Sequence, residues 1–536
     1  MFDLIIKNGR ILDGLGNPWY RGDVGIKDGM IKRIGGIKEG AKEAIDAEGM
    51  IVCPGFIDMH SHSDLAFLVN PEAESKILQG VTTEVIGNCG ISAAPIKDGT
   101  LDQLRDYAGS FLLKEYLNWD WRSFGEYLDK LKEGIAVNVA PLVGQGTIRI
   151  AVMGFDNREP EKKELAEMKE LLREAMDEGA FGLSTGLIYP PGCFSKTEEL
   201  IELARVIKDY EGIYFSHIRG ESNTLIPALK EAITIGEKAG VSVEISHHKA
   251  AGKENWGKVK ETLKIIEEAR ERGLDVTSDQ YPYIATSTAL SALLPDWVHE
   301  GGVKRLVERL KDPQTRKRIR EGIEGGRLIY WNPIKATEWS NIVISVVGSE
   351  QNKELEGKSI EEIAKLWDKD SFDVLFDLLI GEESDVRMVF FRMSEADVIT
   401  VMRHPTTMIG SDGAVISREG PLSKGKPHPR SYGTFPRILG KYVREENVLI
   451  LEDAVRKMTS LPAQKLRLRD RGILKEGYKA DIVVFDPGKV KDRATYTDPY
   501  QQPEGIIYVL VNGEIAVEGG KYARKTTGKV LRAYPK

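Results

Sequence analysis

The sequence predicts an α/β fold, a (β/α)8 TIM-like barrel with a small β-sandwich built from both chain termini and an inserted subdomain. Three observations lead to this prediction. From about residue 50 onward apolar strands alternate with amphipathic helices, both ends of the chain are rich in short strands, and a long interval separates the last two strands of the alternating part. Strand–helix alternation is typical of a parallel sheet covered by helices. Eight such units close into a barrel whose active site lies at the C-terminal strand ends.

The two ends of the chain predict β structure. Strands are expected at 3–10, 22–27 and 30–35, with Asp28-Gly29 as a hairpin turn, and again at 480–487 and 505–511, with Asn512-Gly513 as a second turn. We therefore assign residues 1–55 and 466–536 to one small β-sandwich and residues 56–465 to the barrel.

The barrel strands are predicted at 51–60, 82–86, 136–143, 180–184, 212–217, 241–247, 275–281 and 407–411. Amphipathic helices lie between them, and in the helix predicted over 161–178 a 3.6-residue period puts Leu165, Met168, Leu172 and Ala175 on one face. The interval 287–404 is too long for a simple connection and contains helical stretches such as 303–322. It is predicted to be an inserted subdomain or lid.

Composition restricts the kinds of partner. The chain has 536 residues, too many for one ordinary core, and a formal net charge of -7, which gives no reason to propose nucleic acid or an anionic membrane as partner. No apolar stretch is long enough to span a bilayer. The N-terminal residues lack the pattern of a secretory signal, and three cysteines are too few for a disulfide framework. We expect a cytoplasmic protein; the sequence does not indicate its oligomeric state.

His60 and His62 follow an apolar run and are one residue apart. In a strand, side chains i and i+2 point to the same face, so the two imidazoles are expected to project together. Paired imidazoles at a strand end suit a borderline divalent cation. The alternative is a surface strand with two solvated histidines.

Other residues of types that bind metals lie at the ends of further predicted strands. They are His217, one of His247 and His248, and Asp412. Clustering at one face of a barrel is what a metal site needs. A carboxylate at Asp412 could take a proton from a metal-bound water and pass it to a leaving amine.

The chain resembles the amidohydrolase superfamily and, within it, the N-acyl-D-amino-acid deacylases (D-aminoacylases). The superfamily is indicated by the opening motif Pro54-Gly55-Phe56-Ile57-Asp58-Met59-His60-Ser61-His62. The subfamily is indicated by Gly87-Asn88-Cys89-Gly90, Ser184-Thr185-Gly186-Leu187, Ser216-His217-Ile218-Arg219, Ser246-His247-His248-Lys249 and His428-Pro429-Arg430. These motifs lie in order over nearly the whole chain.

The resemblance implies a zinc site with two positions. The tight zinc would be held by Cys89, His217 and His247, since D-aminoacylases place a metal-binding thiolate in the Cys89 motif. A second, weaker divalent metal position would be surrounded by His60, His62 and Asp412. Many amidohydrolases bridge two metals with a carboxylated lysine after strand four, whereas this chain has Ser184 and Thr185 there. The alternative for Cys89 is a small buried hydrophobe.

The resemblance also implies that Lys249 and Arg430 bind the substrate carboxylate, for which a guanidinium fork is well shaped. Tyr281 and Tyr283 share one face and either could add a hydroxyl contact; packing at the barrel top is the alternative for both. His248 would point away from the site if His247 points inward, so we expect it to be structural.

The resemblance therefore predicts a zinc-dependent hydrolase that acts on the linear amide bond of N-acyl-D-amino acids, which are small-molecule substrates, with Asp412 as general base. The enzyme alternatives are a cyclic-amide hydrolase of the hydantoinase or dihydroorotase type and a dipeptidase. A non-catalytic scaffold is a third alternative, which the intact set of ligands disfavours. The acyl group and the side-chain preference are not legible in the sequence, and the preference for D-amino acids depends on the resemblance.

Overall fold

The computed structural model describes residues 1–108, 116–325 and 338–533. Within these ranges eight parallel strands form the barrel, the third of them in two pieces: Phe56–Asp58, Val81–Ile86, Asn138–Pro141 with Val143–Gly144, Gly182–Gly186, Ile213–His217, Ser242–Ile245, Val276–Gln280 and Thr407–Ile409. The first three pair as one parallel sheet, and the remaining strands pair with Val143–Gly144 as a second.

Backbone hydrogen bonds join the two sheets into a closed barrel. At one seam Met59 N donates to Ile409 O across 3.2 Å, and Asp412 N donates to His60 O across 2.7 Å. At the other, Phe181 N donates to Pro141 O across 2.8 Å. The predicted barrel is confirmed, and His60 and Asp412 are neighbours because the first and eighth strands meet.

Helices surround the barrel, and their sequences explain where they begin and what they bury. The helix Lys162–Asp177 begins with a capping box between Glu161 and Glu164 and buries Met168, Leu172 and Ala175, while Leu165 is half-buried. The others are Ala66–Val69, Glu74–Ile77, Leu101–Ala108, Phe124–Leu131, Gln145–Met153, Thr197–Ile207, Leu225–Ala239, Val259–Glu271, Glu395–Arg403, Arg430–Arg437 with Ile438–Glu445, Leu451–Met458 and Ser460–Lys465. Among the helices of the described ranges, none has the length and apolar character needed to cross a membrane.

The strand predicted over 51–60 is two strands that belong to different sheets. Ile51–Pro54 pairs with Ile482–Phe485 from the C-terminal part, whereas Phe56–Asp58 enters the barrel. Gly55 separates them and lies so close to Thr82 that a Cβ atom there would be 2.1 Å from Thr82 Oγ1. Such a close approach requires glycine.

Strands from both chain ends form one sheet, with nine members in the part of the chain that the structure describes: Phe2–Ile11, Tyr20–Lys27, Met30–Gly35, Ala41–Asp46, Ile51–Pro54, Ile482–Phe485, Ile506–Val511, Glu514–Glu518 and Lys521–Tyr522. Phe2–Ile11 pairs along one edge first with Ala41–Asp46 and then with Ile51–Pro54, so the sheet branches there. Beyond the sheet, Lys529 O and Leu531 N bond to Val139 in the barrel. The domain boundaries given above stay a prediction.

The insertion has its own sheet and its own core. The antiparallel strands Ala285–Ala289, Val386–Phe391 and Ile342–Val347 are accompanied by the helices Val303–Lys311, Pro313–Glu324, Ile360–Trp367 and Ser371–Gly381. Their buried apolar side chains form a cluster separate from that of the barrel. The helical stretch predicted over 303–322 is broken at Asp312-Pro313, where Asp312 caps the second helix. Glu395–Arg403, inside the predicted insertion, packs on the barrel.

Candidate active site

A cavity of about 400 Å³ opens at the C-terminal ends of the barrel strands. Most of the predicted site residues line it: His62, Cys89, His217, His247, Lys249, Tyr281, Asp412 and Arg430. His60 is fully buried against Cys89, and Tyr283 packs against His428 with its hydroxyl buried. The insertion supplies part of the wall through residues 286–289 and 383–387.

Three imidazole nitrogens surround the sulfur of Cys89. His60 Nε2 lies 3.3 Å from Sγ, and His217 Nδ1 and His247 Nε2 each lie 3.5 Å from it. A thiol donates one hydrogen bond and its sulfur accepts others only weakly, so three nitrogens around one sulfur are more than its hydrogen bonding favours. Zinc bonds of about 2.3 Å to sulfur and about 2.0 Å to nitrogen place neighbouring ligand atoms about 3.5 Å apart in a tetrahedral site. The ligand atoms of Cys89, His60 and His247 all lie within 4.8 Å of one another, and His217 Nδ1 approaches the same sulfur, so these residues fit a zinc ion.

A second group lies next to the first. Asp412 Oδ1 is 3.0 Å from His62 Nε2 and 3.6 Å from His60 Nε2. His60 and His62, whose ring centroids lie 5.3 Å apart, thus both approach the Asp412 carboxylate. His60 belongs to both groups, so the two candidate metal positions adjoin.

Burial sets the protonation of these side chains. It lowers the pKa of His60 to about 3 and lowers the pKa of His217 and His247, which leaves neutral imidazoles, the form that binds metals. Burial also raises the pKa of the Cys89 thiol well above its ordinary value. A dication nearby would reverse that direction, because it stabilises the thiolate.

Three of the site residues have left-handed backbone conformations. The φ angles of Cys89, His247 and Asp412 are 54°, 35° and 50°. Non-glycine residues adopt this region at a cost of order 1–3 kcal/mol when the surrounding structure imposes it. Each residue lies two or three positions beyond the end of a barrel strand, and its side chain faces the site.

His247 and His248 lie on opposite faces, as expected. His247 faces Cys89, whereas His248 is buried with Nε2 2.7 Å from Thr262 Oγ1 on the helix Val259–Glu271. The hydrogen bond to Thr262 explains why this second buried histidine is tolerated.

Two cations lie near one aromatic ring at the cavity wall, and each is also paired with a carboxylate, Lys249 with Glu221 and Arg430 with Asp412. The Arg430 guanidinium carbon lies 5.0 Å and Lys249 Nζ 5.5 Å from the centre of the Tyr281 ring. Tyr283 instead contacts His428 and Arg437. The structure thus distinguishes the two tyrosines: Tyr281 lines the cavity beside both cations, and Tyr283 packs behind it.

Several polar residues of the site had no role in the sequence analysis. Glu221 contacts His247 and Lys249, Asp279 Oδ1 accepts from His247 N across 2.8 Å, and Asp279 Oδ2 lies 3.4 Å from His60 Nδ1. Asp279 shares the strand face of Tyr281, a signal that the sequence did contain. Glu221 is in a loop, where no periodicity marks it.

A buried lysine connects the first and eighth strands beneath the site. Lys76 Nζ donates to Asp58 Oδ2 and Ser411 Oγ, each across 2.9 Å, and lies 3.2 Å from Glu84 Oε2. Asp58 Oδ1 in turn accepts from Ser411 N across 2.7 Å. These bonds tie the segment carrying His60 to the one carrying Asp412.

The comparison with known families agrees with this geometry. A profile described as "Amidohydrolase family" matches residues 43–517. The chain belongs to the amidohydrolase family. Its barrel fold is the one that the strand–helix pattern and the resemblance predicted.

Individual amidohydrolases are similar over their whole length. D-aminoacylase of Alcaligenes xylosoxydans xylosoxydans is 37% identical over 532 residues, which cover 99% of this chain and 97% of that protein. The crystal structure of N-acyl-D-glutamate deacylase from Bordetella bronchiseptica, complexed with zinc and a phosphonate mimic of the tetrahedral intermediate, has a TM-score of 0.83 and 36% identity and covers 99% of this chain and 100% of that one. A D-aminoacylase structure described for its binuclear metal centre has a TM-score of 0.82 and 36% identity at the same coverage.

Proposed function

We propose that this amidohydrolase is a zinc-dependent hydrolase of the linear amide bond of N-acyl-D-amino acids, which releases a carboxylic acid and a D-amino acid. The observation that carries the proposal is a soft metal-ligand set, Cys89 among three imidazoles, beside a cationic wall formed by Lys249 and Arg430. The first suits an ion that activates water and a carbonyl group, and the second suits the carboxylate of an amino acid.

Cys89, His217 and His247 would hold the tight zinc. His60, His62 and Asp412 would surround the second, weaker position, which adjoins the first through His60. When bound, zinc would supply a Lewis acid that polarises the acyl carbonyl and lowers the pKa of water.

Asp412 would be the general base. Its carboxylate faces the cavity between His62 and Arg430 and would take a proton from the attacking water, then deliver it to the departing nitrogen. The hydrogen bond with His62 fixes the orientation of the carboxylate, so the proton is received and released at one place.

We expect the substrate carboxylate to bind to Arg430 and Lys249, beside the Tyr281 ring. A guanidinium and an ammonium that both lie near the Tyr281 ring would attract an anion to this part of the cavity wall. Anchoring the carboxylate there would turn the amide bond toward the metal ligands. Tyr281, which lines the cavity, is the better candidate of the two tyrosines for contact with substrate.

The preference for D-amino acids is supported by the names of the relatives, which are D-aminoacylase and N-acyl-D-glutamate deacylase. The strand Gly182–Gly186 supports a linear over a cyclic amide. It carries hydroxyls where enzymes with a bridging carbamate have lysine, and Ser184 Oγ accepts from Gly90 N across 3.0 Å.

We place the protein in the cytoplasm. Cys53, Cys89 and Cys193 are all free thiols, as a reducing compartment requires.

The decisive experiment measures initial rates on matched N-acetyl-D- and N-acetyl-L-amino acids with acidic, apolar and basic side chains, together with the zinc content of the same sample. Hydrolysis of the D-substrates by a zinc-containing protein is the expected result. Activity confined to the L-substrates would contradict the stereochemical assignment, and freshly purified protein without zinc or a similar ion would contradict the mechanism.

A further inference from the structure

Glu221 lies buried behind the Cys89 group, in the loop that follows the strand Ile213–His217. Its Oε1 atom is 3.2 Å from His247 Nδ1 and 3.6 Å from His217 Nε2. These are the ring nitrogens opposite those that face Cys89. One carboxylate oxygen therefore faces both imidazoles from the side away from the thiol.

The position of this carboxylate matters because of imidazole chemistry. A neutral imidazole that binds a metal through one nitrogen carries its proton on the other, and a carboxylate that accepts this proton fixes both the tautomer and the orientation of the ring. If His247 binds through Nε2, its Nδ1 carries the proton and Glu221 Oε1, 3.2 Å away, is in place to accept it. The Lys249 ammonium lies 2.6 Å from the same Nδ1 and cannot accept a proton, so in that state it must direct its own protons to Glu221 instead. For His217 the two nitrogens are exchanged: Nε2 is buried without a hydrogen-bond partner among the described residues, and the nearest carboxylate oxygen is again Glu221 Oε1, at 3.6 Å, which would accept its proton after a small approach.

Glu221 is itself held by two cations. Lys249 Nζ lies 2.5 Å from Oε1, and Arg392 Nη2 lies 3.0 Å from Oε2. Arg392 Nε also donates to Thr286 Oγ1 across 3.2 Å, which connects Glu221 to the insertion. The carboxylate thus touches both histidines and the lysine of the cationic wall at once.

His217, Glu221 and His247 could on geometry alone hold a separate ion. The position of Lys249 disfavours such an ion, because its ammonium lies 2.6 Å from His247 Nδ1 and already supplies a positive charge there.

We propose that Glu221 is a positioning residue that orients His217 and His247 for zinc and holds Lys249 at the cavity wall. The inference deepens the proposed function and rests on it, since it takes these histidines to be zinc ligands. Loss of the carboxylate would weaken zinc binding through the two rings and substrate binding through the lysine. Glu221 itself need not touch the reacting atoms.

The test is Glu221→Gln, with zinc affinity measured by competition with a chelator, independently of turnover. We expect an affinity lower by about 10–100-fold, an altered absorption spectrum of the cobalt-substituted protein, and a higher KM. Glu199→Gln is the matched control. Glu199 is also a buried carboxylate paired with an arginine, Arg149 at 2.7 Å, but it does not line the cavity, so its zinc affinity should equal that of the wild type. Unchanged affinity in the Glu221 variant would overturn the inference.

Glu221→Asp tests the same point if the glutamine variant does not fold. It keeps the charge that Lys249 and Arg392 require but withdraws the carboxylate by one methylene group, so zinc affinity should fall while the folded structure persists. Wild-type affinity in a folded aspartate variant would overturn the inference. A wild-type protein that neither binds zinc nor hydrolyses N-acyl-D-amino acids would instead overturn the proposed function, so the two failures are distinguishable.

Discussion

Arg430 and Asp412 form a buried ion pair, with Nη1 of the guanidinium 2.5 Å from Oδ2 of the carboxylate. Burial by itself raises the pKa of Asp412, but Arg430 and the hydrogen bond from His62 hold that pKa well below the usual range. The proposed base and the proposed carboxylate-binding residue are therefore coupled. A substrate carboxylate that takes over part of the charge of Arg430 would make Asp412 a stronger base.

Arg430→Gln should raise KM and move the acid limb of the kcat/KM profile to higher pH. Removing the guanidinium removes the stabilisation of the charged carboxylate, so the pKa of Asp412 rises and a higher pH is needed to ionise it. Loss of a charged hydrogen bond worth about 1.5–3 kcal/mol corresponds to a fall of about 10–100-fold in kcat/KM. Arg437→Gln is the control, since Arg437 pairs with Asp492 away from the metal ligands. An acid limb that stays in place or moves to lower pH would contradict the coupling.

Asp412→Asn should lower kcat by about 10²–10⁴-fold, the usual contribution of a general acid–base group. It should retain the tight zinc, because Cys89, His217 and His247 are unchanged. Turnover and zinc content measured on one preparation check both statements. The assignment of the base fails if the variant turns over at nearly the wild-type rate.

His247→Gln and His248→Gln form a pair that differs by one position along the chain. The first should lose the tight zinc and with it activity. The second should keep zinc and lose only stability, about 1–3 kcal/mol, because it breaks the buried bond to Thr262. Zinc analysis and chemical denaturation separate the two effects. If the His248 variant lost zinc while the His247 variant kept it, His248 and not His247 would be the zinc ligand.

Lys76→Met should destabilise the protein by about 3–5 kcal/mol, because Asp58 and Glu84 would remain as buried carboxylates without a cation. Adding Glu84→Gln should recover part of this loss. Lys365→Met, which breaks an exposed pair with Glu361, should leave stability nearly unchanged, because solvent screens exposed ion pairs. The free energy of unfolding from denaturant titration is the measurement; equal effects of the two single variants would contradict the role of the buried cluster.

The barrel could be predicted from the sequence because short buried strands alternate with amphipathic helices, a local signal that the fold retains. The placement of His60, His217 and Asp412 at one barrel face follows from the rule for strand ends, and the alternation of faces separates His247 from His248. These are properties of short segments, and a single sequence contains them.

The rest depends on contacts between distant segments. Gly55 divides one apolar run because Thr82 packs against it, and nothing near residue 55 reveals that neighbour. Glu221 lies in an irregular loop, and Arg392 reaches it from 171 residues further along the chain. The choice of Tyr281 over Tyr283 likewise depends on which ring Arg430 and Lys249 cover.

The insertion has a hydrophobic core apart from that of the barrel, yet its strand Ala285–Ala289 supplies a wall of the cavity. The catalytic groups and the surface that would meet the variable parts of a substrate are thus stabilised by different sets of apolar contacts. Substitutions that reshape the wall can accumulate without weakening the barrel that holds the chemistry. The same hydrolytic centre could in this way be adapted to new acyl groups and side chains through changes confined to the insertion.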